Sequence, residues 1–351
     1  MLTATERMEA PDSFLFQLGW RPLFSAQLSP DDAFYCQPVR VMSVHRGTVT
    51  ILGDGVDETI ASSLPEPGGP EDRPTVGDWL LLDRVDRTIV RILDRASLFK
   101  RPSPGDERRV QLIAANVDTL FIVSSCDQDF NLARIERYLV LARDVGVRPV
   151  IVLTKADLAP SASDFVEAAR SLQPALQVEL INGRDRDSAA HLAAYCGPGE
   201  TVALVGSSGV GKSTLVNTMT GSDSIATQPV RESDGKGMHT TTVRQMHRLR
   251  RGTEPGGWLV DTPGMRELQM SEVAAGVAEV FDDVVAITRT CKFSDCAHAD
   301  EPGCAIRAAI ADGTLAPERF ERWRKLDTED AANTGAAQIR RARAAKGRKR
   351  K

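Results

Sequence analysis

The chain has 351 residues, more than one hydrophobic core ordinarily serves, and its 42% hydrophobic and 26% charged content is that of a globular protein. No apolar run approaches the roughly 18 residues of a membrane span. Residues 1–14 carry Glu6, Glu9 and Asp12 with no apolar stretch behind a basic one, so a secretory leader is not expected and the cytoplasm is the expected compartment.

Residues 1–32 read as a leader with little periodicity. From residue 33 to about 100 the texture is β: Val39–Val44, Thr48–Leu52, Trp79–Leu82 and Thr88–Ile92 are short, apolar and β-branched, separated by Gly53-Asp54-Gly55 and by the Pro/Gly-rich stretch Pro65–Pro74. Such strands suit a small barrel; an OB-fold and an SH3-like barrel both fit.

Over residues 101–275 strands alternate with helices. Thr119–Ser124, Pro149–Leu153, Val178–Ile181 and Thr201–Val205 read as buried strands, with a helical pattern over Leu132–Val145; Val243–Leu249 and Trp258–Val260 add two more strands. This alternation predicts a mainly parallel sheet covered on both faces. Residues 276–328 read as helical around a cluster of cysteines. Residues 329–351 are rich in Ala, Arg and Lys and are expected to be a disordered tail. Eight basic residues lie between Gln338 and Lys351 with no acid among them, which leaves the rest of the chain near −12 against a total of −4. An acidic body with a basic tail predicts an anionic partner reached by the tail.

Gly206-Ser207-Ser208-Gly209-Val210-Gly211-Lys212-Ser213-Thr214 follows a buried strand and opens a helical pattern, the context a phosphate-binding loop requires. Glycines let backbone N–H groups ring a phosphate, and the helix N-terminus adds its positive end. Lys212 should reach the β- and γ-phosphates, and Ser213 should hold Mg²⁺.

The nucleotide is read from Thr154-Lys155-Ala156-Asp157, directly after the strand Pro149–Leu153. A carboxylate at Asp157 can accept from both N1–H and the 2-amino group of guanine, whereas adenine offers neither donor. Asp261-Thr262-Pro263-Gly264 follows the strand Trp258–Val260; Asp261 should organise Mg²⁺ through water and the Gly264 amide should meet the γ-phosphate. His239-Thr240-Thr241-Thr242 lies between these motifs and the phosphate loop, and Thr241 is the expected second Mg²⁺ ligand. Asn182-Gly183 could back the base. GTP/GDP and Mg²⁺ are thus the expected ligands. In Ras-like proteins the guanine motif comes last; here it precedes the phosphate loop, as if the fold were cut before its fourth strand and its old ends joined, a circular permutation.

Met265 stands directly after Gly264, where Ras-like enzymes place a water-orienting Gln. A thioether cannot orient water, so intrinsic turnover should be slow; His239 is the candidate to act with Lys212 and Thr241 in catalysis, the equal alternative being a switch residue that only packs or binds RNA. Finally, Cys291-x4-Cys296-x-His298-x5-Cys304 supplies three thiolates and one imidazole, a closed tetrahedral set that predicts one structural Zn²⁺.

On these motifs, their order and their spacing, the chain resembles the RsgA/YjeQ family of circularly permuted GTPases over about Phe34–Leu326, through Thr154–Asp157, Gly206–Thr214, Gly237–Thr242, Asp261–Gly264 and Cys291–Cys304. Pro74–Trp79 and Arg95–Arg101 carry the resemblance into the N-terminal part, less specifically. It implies a multidomain α/β protein: an N-terminal OB-fold β-barrel, a central permuted P-loop GTPase and a C-terminal helical zinc domain. It also implies late maturation of the small ribosomal subunit, rRNA as partner, and hydrolysis stimulated by the ribosome; a monomer is the default. The variable second position of the family's histidine–threonine motif is Met238 here, and Pro65–Pro74 lengthens a barrel loop. A zinc-dependent RNA-binding module with GTP as a structural ligand is the alternative, favoured by Met265. A P-loop ATPase or small-molecule kinase is disfavoured by Asp157.

Overall fold

The computed structural model describes residues 4–65, 69, 71–103, 106–221, 244–251, 254–261, 270 and 273–348. It divides into two compact units: residues 1–130 with 147–268, and residues 131–146 with 269–351.

The first unit opens with four short helices, α1 (Ala4–Glu9), α2 (Phe14–Gln17), α3 (Pro22–Ser25) and α4 (Pro30–Tyr35). Ser13 caps α2, and Ser29 with Asp32 forms a capping box on α4. This stretch, expected to be a leader, is packed. Leu18, Trp20 and Phe24 are buried, and Trp20 meets Trp79 edge-on at 4.9 Å. Helices of four to six residues are too short to display a 3.6-residue period, which is why pattern reading passes over them.

Five antiparallel strands follow: β1 (Cys36–His45), β2 (Thr48–Gly53), β3 (Val56–Ala61), β4 (Trp79–Asp83) and β5 (Ile89–Ile92). β1 pairs with both β2 and β4, and Val39, Val41, Val49, Ile51, Leu80 and Leu82 form one apolar core. β3 was not expected from sequence; only Val56 of its six residues is fully buried, so Asp57-Glu58-Thr59 masks the strand. Among the described residues no ladder joins β3 to β5. These strands form an antiparallel sheet, and among the described residues it does not close into an OB-barrel.

The hairpin of β6 (Leu98–Ser103) and β7 (Asp106–Ala115) forms a sheet of its own. The remaining strands of the unit are β8 (Thr119–Ser125), β9 (Arg148–Thr154), β10 (Gln177–Leu180), β11 (Thr201–Val205), β12 (Arg244–Arg251) and β13 (Glu254–Asp261). Their order is β10-β9-β8-β11-β13-β12, all parallel except β12. β8, first of this set in the chain, sits beside β11 in the middle of the sheet, as the permuted order requires. Phe121, Val150, Val152, Val202 and Leu204 pack with Leu215 and Val216 of the helix after β11. β12 also pairs with β1 (Ser43 opposite Gln245), so the N-terminal strands extend the same sheet. Buried Arg40 fastens this junction, donating to the Thr201 hydroxyl at 2.8 Å and to the Leu18 carbonyl.

The second unit comprises α5 (Leu132–Asp144), which leaves β8 in sequence, and four C-terminal helices. With α6 (Ala162–Arg170), α7 (Arg186–Ala190) and α8 (Lys212–Thr220) in the first unit, these are α9 (Ala274–Val280), α10 (Asp282–Thr288), α11 (Ala305–Ala311) and α12 (Pro317–Arg348). Gly276 lets α9 lie against α5: a Cβ there would stand 2.3 Å from the Val140 carbonyl. Glu136 of α5, fully buried, accepts from Arg319 at 2.7 Å and Arg322 at 2.6 Å. On α12, Asp330 accepts from the Val273 amide at 3.0 Å and Asn333 donates to the Met270 carbonyl at 2.6 Å. α12 runs on to Arg348 through the stretch expected to be disordered, which the high helix propensity of Ala, Arg and Lys supports. Among the described residues no helix is long and apolar enough to cross a membrane.

Candidate nucleotide site and metal centre

Parallel β8, β9, β10 and β11 end at one edge of the sheet, and the loops leaving them carry the sequence motifs. Such an edge is where open α/β sheets bind ligands. Between β11 and α8, Gly206, Gly209 and Gly211 all have positive φ. Gly206 is the most constrained: φ is +145° and a Cβ would lie 2.2 Å from the Val123 carbonyl. Lys212 begins α8, and its ammonium donates to the Gly206 carbonyl at 2.8 Å and to that of Ser207. Ser213 and Thr214 follow in the first turn of α8, half-buried, and Val210 is buried beneath the loop. Ser208 and Gly209 are exposed at the crest.

Thr154 is buried at the end of β9, and its hydroxyl donates to the Val210 carbonyl at 2.6 Å. The structure thereby brings the guanine motif and the phosphate loop, 56 residues apart, into direct contact. Lys155 adopts a left-handed conformation, φ +58°, which turns the chain out of the strand into the short 3-10 helix Ala156–Leu158. Asp157 is exposed on that turn. The Lys155 ammonium contacts the Asp127 carboxylate at 2.8 Å. Asp127 itself accepts from the Ser125 hydroxyl at 2.7 Å and the Asp129 amide at 2.9 Å. Burial works to raise the Asp127 carboxyl, but the hydrogen bonds from Lys155, Ser125 and Asp129 outweigh it and hold it below its usual range. Sequence reading missed Asp127; the available signal was a carboxylate just past β8, the strand next to the guanine-motif strand.

After β10, Asn182 accepts from the Arg184 amide at 3.0 Å, and the Gly183 carbonyl accepts from Thr218 of α8 at 2.8 Å. That loop is therefore tied to the phosphate-loop helix. Asp261 closes β13, opposite Gln245 of β12. The expected residues His239, Thr241, Gly264 and Met265 lie outside the described residues.

The second site lies between α10 and α11. The ligand atoms of Cys291, Cys296, His298 and Cys304 all fall within 4.8 Å of one another. His298 Nδ1 stands 3.5 Å from Cys291 Sγ and 3.6 Å from Cys304 Sγ. A tetrahedral zinc with ordinary Zn–S and Zn–N bonds separates S from N by about 3.6 Å, so the donor set fits that ion. Against burial, the Ala305 and Ile306 amides hold the Cys291 thiol below its ordinary value, favouring the thiolate a metal needs. His298 has φ +58°, and its ring meets Phe320 at 6.1 Å and Trp323 at 6.0 Å, both on α12.

The RsgA GTPase family model matches residues 92–271, which span both nucleotide motifs. The chain belongs to the RsgA GTPase family. The small ribosomal subunit biogenesis GTPase RsgA 2 of Vibrio parahaemolyticus is 47% identical over 321 residues, 91% of this chain and 86% of the relative. The small ribosomal subunit biogenesis GTPase RsgA of Mesorhizobium japonicum is 46% identical over 333 residues, 94% and 93% of the two chains. Among solved structures, YjeQ from Thermotoga maritima superposes with a TM-score of 0.58 at 25% identity, covering 83% of this chain and 97% of that one. YloQ, described as a circularly permuted GTPase, gives 0.56 at 24% identity, covering 84% and 95%, and carries the same permuted fold. Family membership makes this chain a GTPase, with GTP, GDP and Mg²⁺ as its ligands.

Proposed function

We propose that the chain hydrolyses GTP as a switch in late maturation of the small ribosomal subunit, binding rRNA and being stimulated by the subunit. The observation that carries the nucleotide-binding part of this reading is the hydrogen bond joining Thr154 of the guanine motif to Val210 of the phosphate loop. The names of the curated relatives supply the ribosomal context.

In this reading Thr154–Asp157 recognise guanine and Gly206–Thr214 cradle the phosphates. Ser213 and Thr241 ligate Mg²⁺, with Asp261 acting through water and Gly264 meeting the γ-phosphate. Lys212 and Thr241 stabilise the transferring phosphoryl group and His239 supplies the role that Met265 cannot. Cys291, Cys296, His298 and Cys304 hold one structural Zn²⁺, which would brace the helices around it. The N-terminal strands act as an OB-type module, a role supported by five antiparallel strands around one apolar core. The chain works as a cytoplasmic monomer whose basic C-terminus reaches RNA.

The deciding experiment compares GTP turnover with and without purified small ribosomal subunits, using Lys212→Ala as the blank. A large stimulation absent from the blank supports the switch. Tight GTP binding without stimulation favours the second reading, a zinc-dependent RNA-binding module in which GTP is structural; Met265 is the residue that favours it.

A further inference from the structure

Phe34 and Tyr35, at the end of α4, are 74% and 60% exposed, and their rings meet edge-on at 4.8 Å. Neither contributes to the core, whereas the next residue, Cys36, is buried. The turn between β4 and β5 runs alongside: the Arg84 amide donates to the Tyr35 carbonyl at 3.1 Å, and Val85 is 87% exposed. Three large apolar side chains thus stand in solvent on adjoining segments, an arrangement more typical of a contact face than of a free surface.

The charges beside them are unbalanced. Asp32 is committed to Arg91 at 2.9 Å, and Arg87 to Glu58. That leaves Asp31, one helical turn before Phe34, and Asp83 and Asp86 of the turn, against Arg84. Asp83 accepts from the Val85 amide at 2.7 Å and the Asp86 amide at 2.8 Å; these bonds outweigh desolvation and keep its carboxyl below the ordinary range, hence charged. Exposed aromatic rings within a carboxylate rim attract guanidinium and ammonium groups, through ring faces and through charge, and repel a phosphate backbone.

We infer that Phe34, Tyr35 and Val85, rimmed by Asp31, Asp83 and Asp86, form a docking face for an Arg- or Lys-rich segment of a protein. The occupant follows from charge complementarity. The inference rests on the proposed function for where such a segment is met, since a ribonucleoprotein particle holds its RNA with basic proteins. It gives the N-terminal module a protein-reading face, while the basic C-terminus is the part proposed above to reach RNA.

The test uses the full chain and purified small ribosomal subunits. A photoreactive benzophenone amino acid in place of Tyr35 should yield a protein adduct whose cross-linked peptide is rich in Arg and Lys. Phe34→Ser with Tyr35→Ser should weaken co-sedimentation by about tenfold without changing thermal unfolding. Asp31→Asn with Asp86→Asn separates the two partner classes by sign: removing carboxylates weakens a contact with a basic segment and tightens one with RNA. An rRNA adduct at position 35, or tighter binding by the Asp31/Asp86 variant, overturns the inference alone. No co-sedimentation of the wild-type chain overturns the proposed function and this inference with it.

Discussion

The hydroxyl of Thr154 donates a 2.6 Å hydrogen bond to the carbonyl of Val210. Base recognition and phosphate binding, far apart in a permuted chain, are thereby held in one geometry. Thr154→Val keeps the shape and removes the donor, leaving a buried carbonyl without its partner. GDP and GTP affinity should fall about tenfold, the equivalent of one such bond, while Thr154→Ser should retain it. Titration with fluorescent guanine nucleotides reads the difference; equal affinity for the valine variant would dismiss the coupling.

Asp127 holds Lys155, and the sign of its pH dependence is determined. Its carboxyl is held below the ordinary value in the folded protein, so its contribution is fully present above about pH 4 and is lost as pH falls through the folded value. Asp127→Asn should remove that acid-side component from the pH–stability curve and weaken guanine-nucleotide binding at neutral pH. Urea unfolding across pH 3–7 compares the two proteins.

Gly206→Ala should abolish nucleotide binding outright. The substituted Cβ would sit 2.2 Å from the Val123 carbonyl at a φ of +145°, and neither backbone can yield without opening the sheet. Retained affinity in an equilibrium binding assay would contradict the loop geometry.

Glu136 lies fully buried between two guanidinium groups. Glu136→Ala would take the carboxylate from Arg322 and leave Arg319 with Asp283 and the Val280 carbonyl, at a cost of about 3 kcal/mol, and loosen α12 from α5. Hydrogen exchange confined to residues 131–146 and 269–348 is the expected signature; uniform exchange across the chain is the contrary result.

Zinc removal should be visible from Trp323, whose ring lies 6.0 Å from that of His298. A chelator should shift its fluorescence and raise exchange near α11 and α12, and Co²⁺ replacement should give the absorption of a tetrahedral thiolate site. His298→Ala should lower metal stoichiometry without affecting GDP affinity.

Local chemistry written in adjacent residues was legible before any coordinates. The run Gly206–Ser213 needs glycines to turn its amides inward, and the Cys291–Cys304 spacing brings four soft ligands within reach of one ion. The strands Thr119–Ser124, Pro149–Leu153 and Thr201–Val205 announce themselves as continuous apolar runs because a parallel sheet is buried on both faces. Their motif order already specified the permutation. What the sequence could not display depends on partners distant in the chain. Asp127 becomes part of the guanine site only because β8 lies beside β9, and Glu136 looks like a surface acid until α12 brings two arginines against it. The four N-terminal helices carry no period because each is one or two turns long, yet Trp20 is core because Trp79 meets it. Whether the N-terminal strands stand apart or extend the central sheet was settled by the pairing of Ser43 with Gln245. A ladder of that kind is made by backbone groups, which every sequence carries alike, so its choice of partner belongs to the tertiary structure.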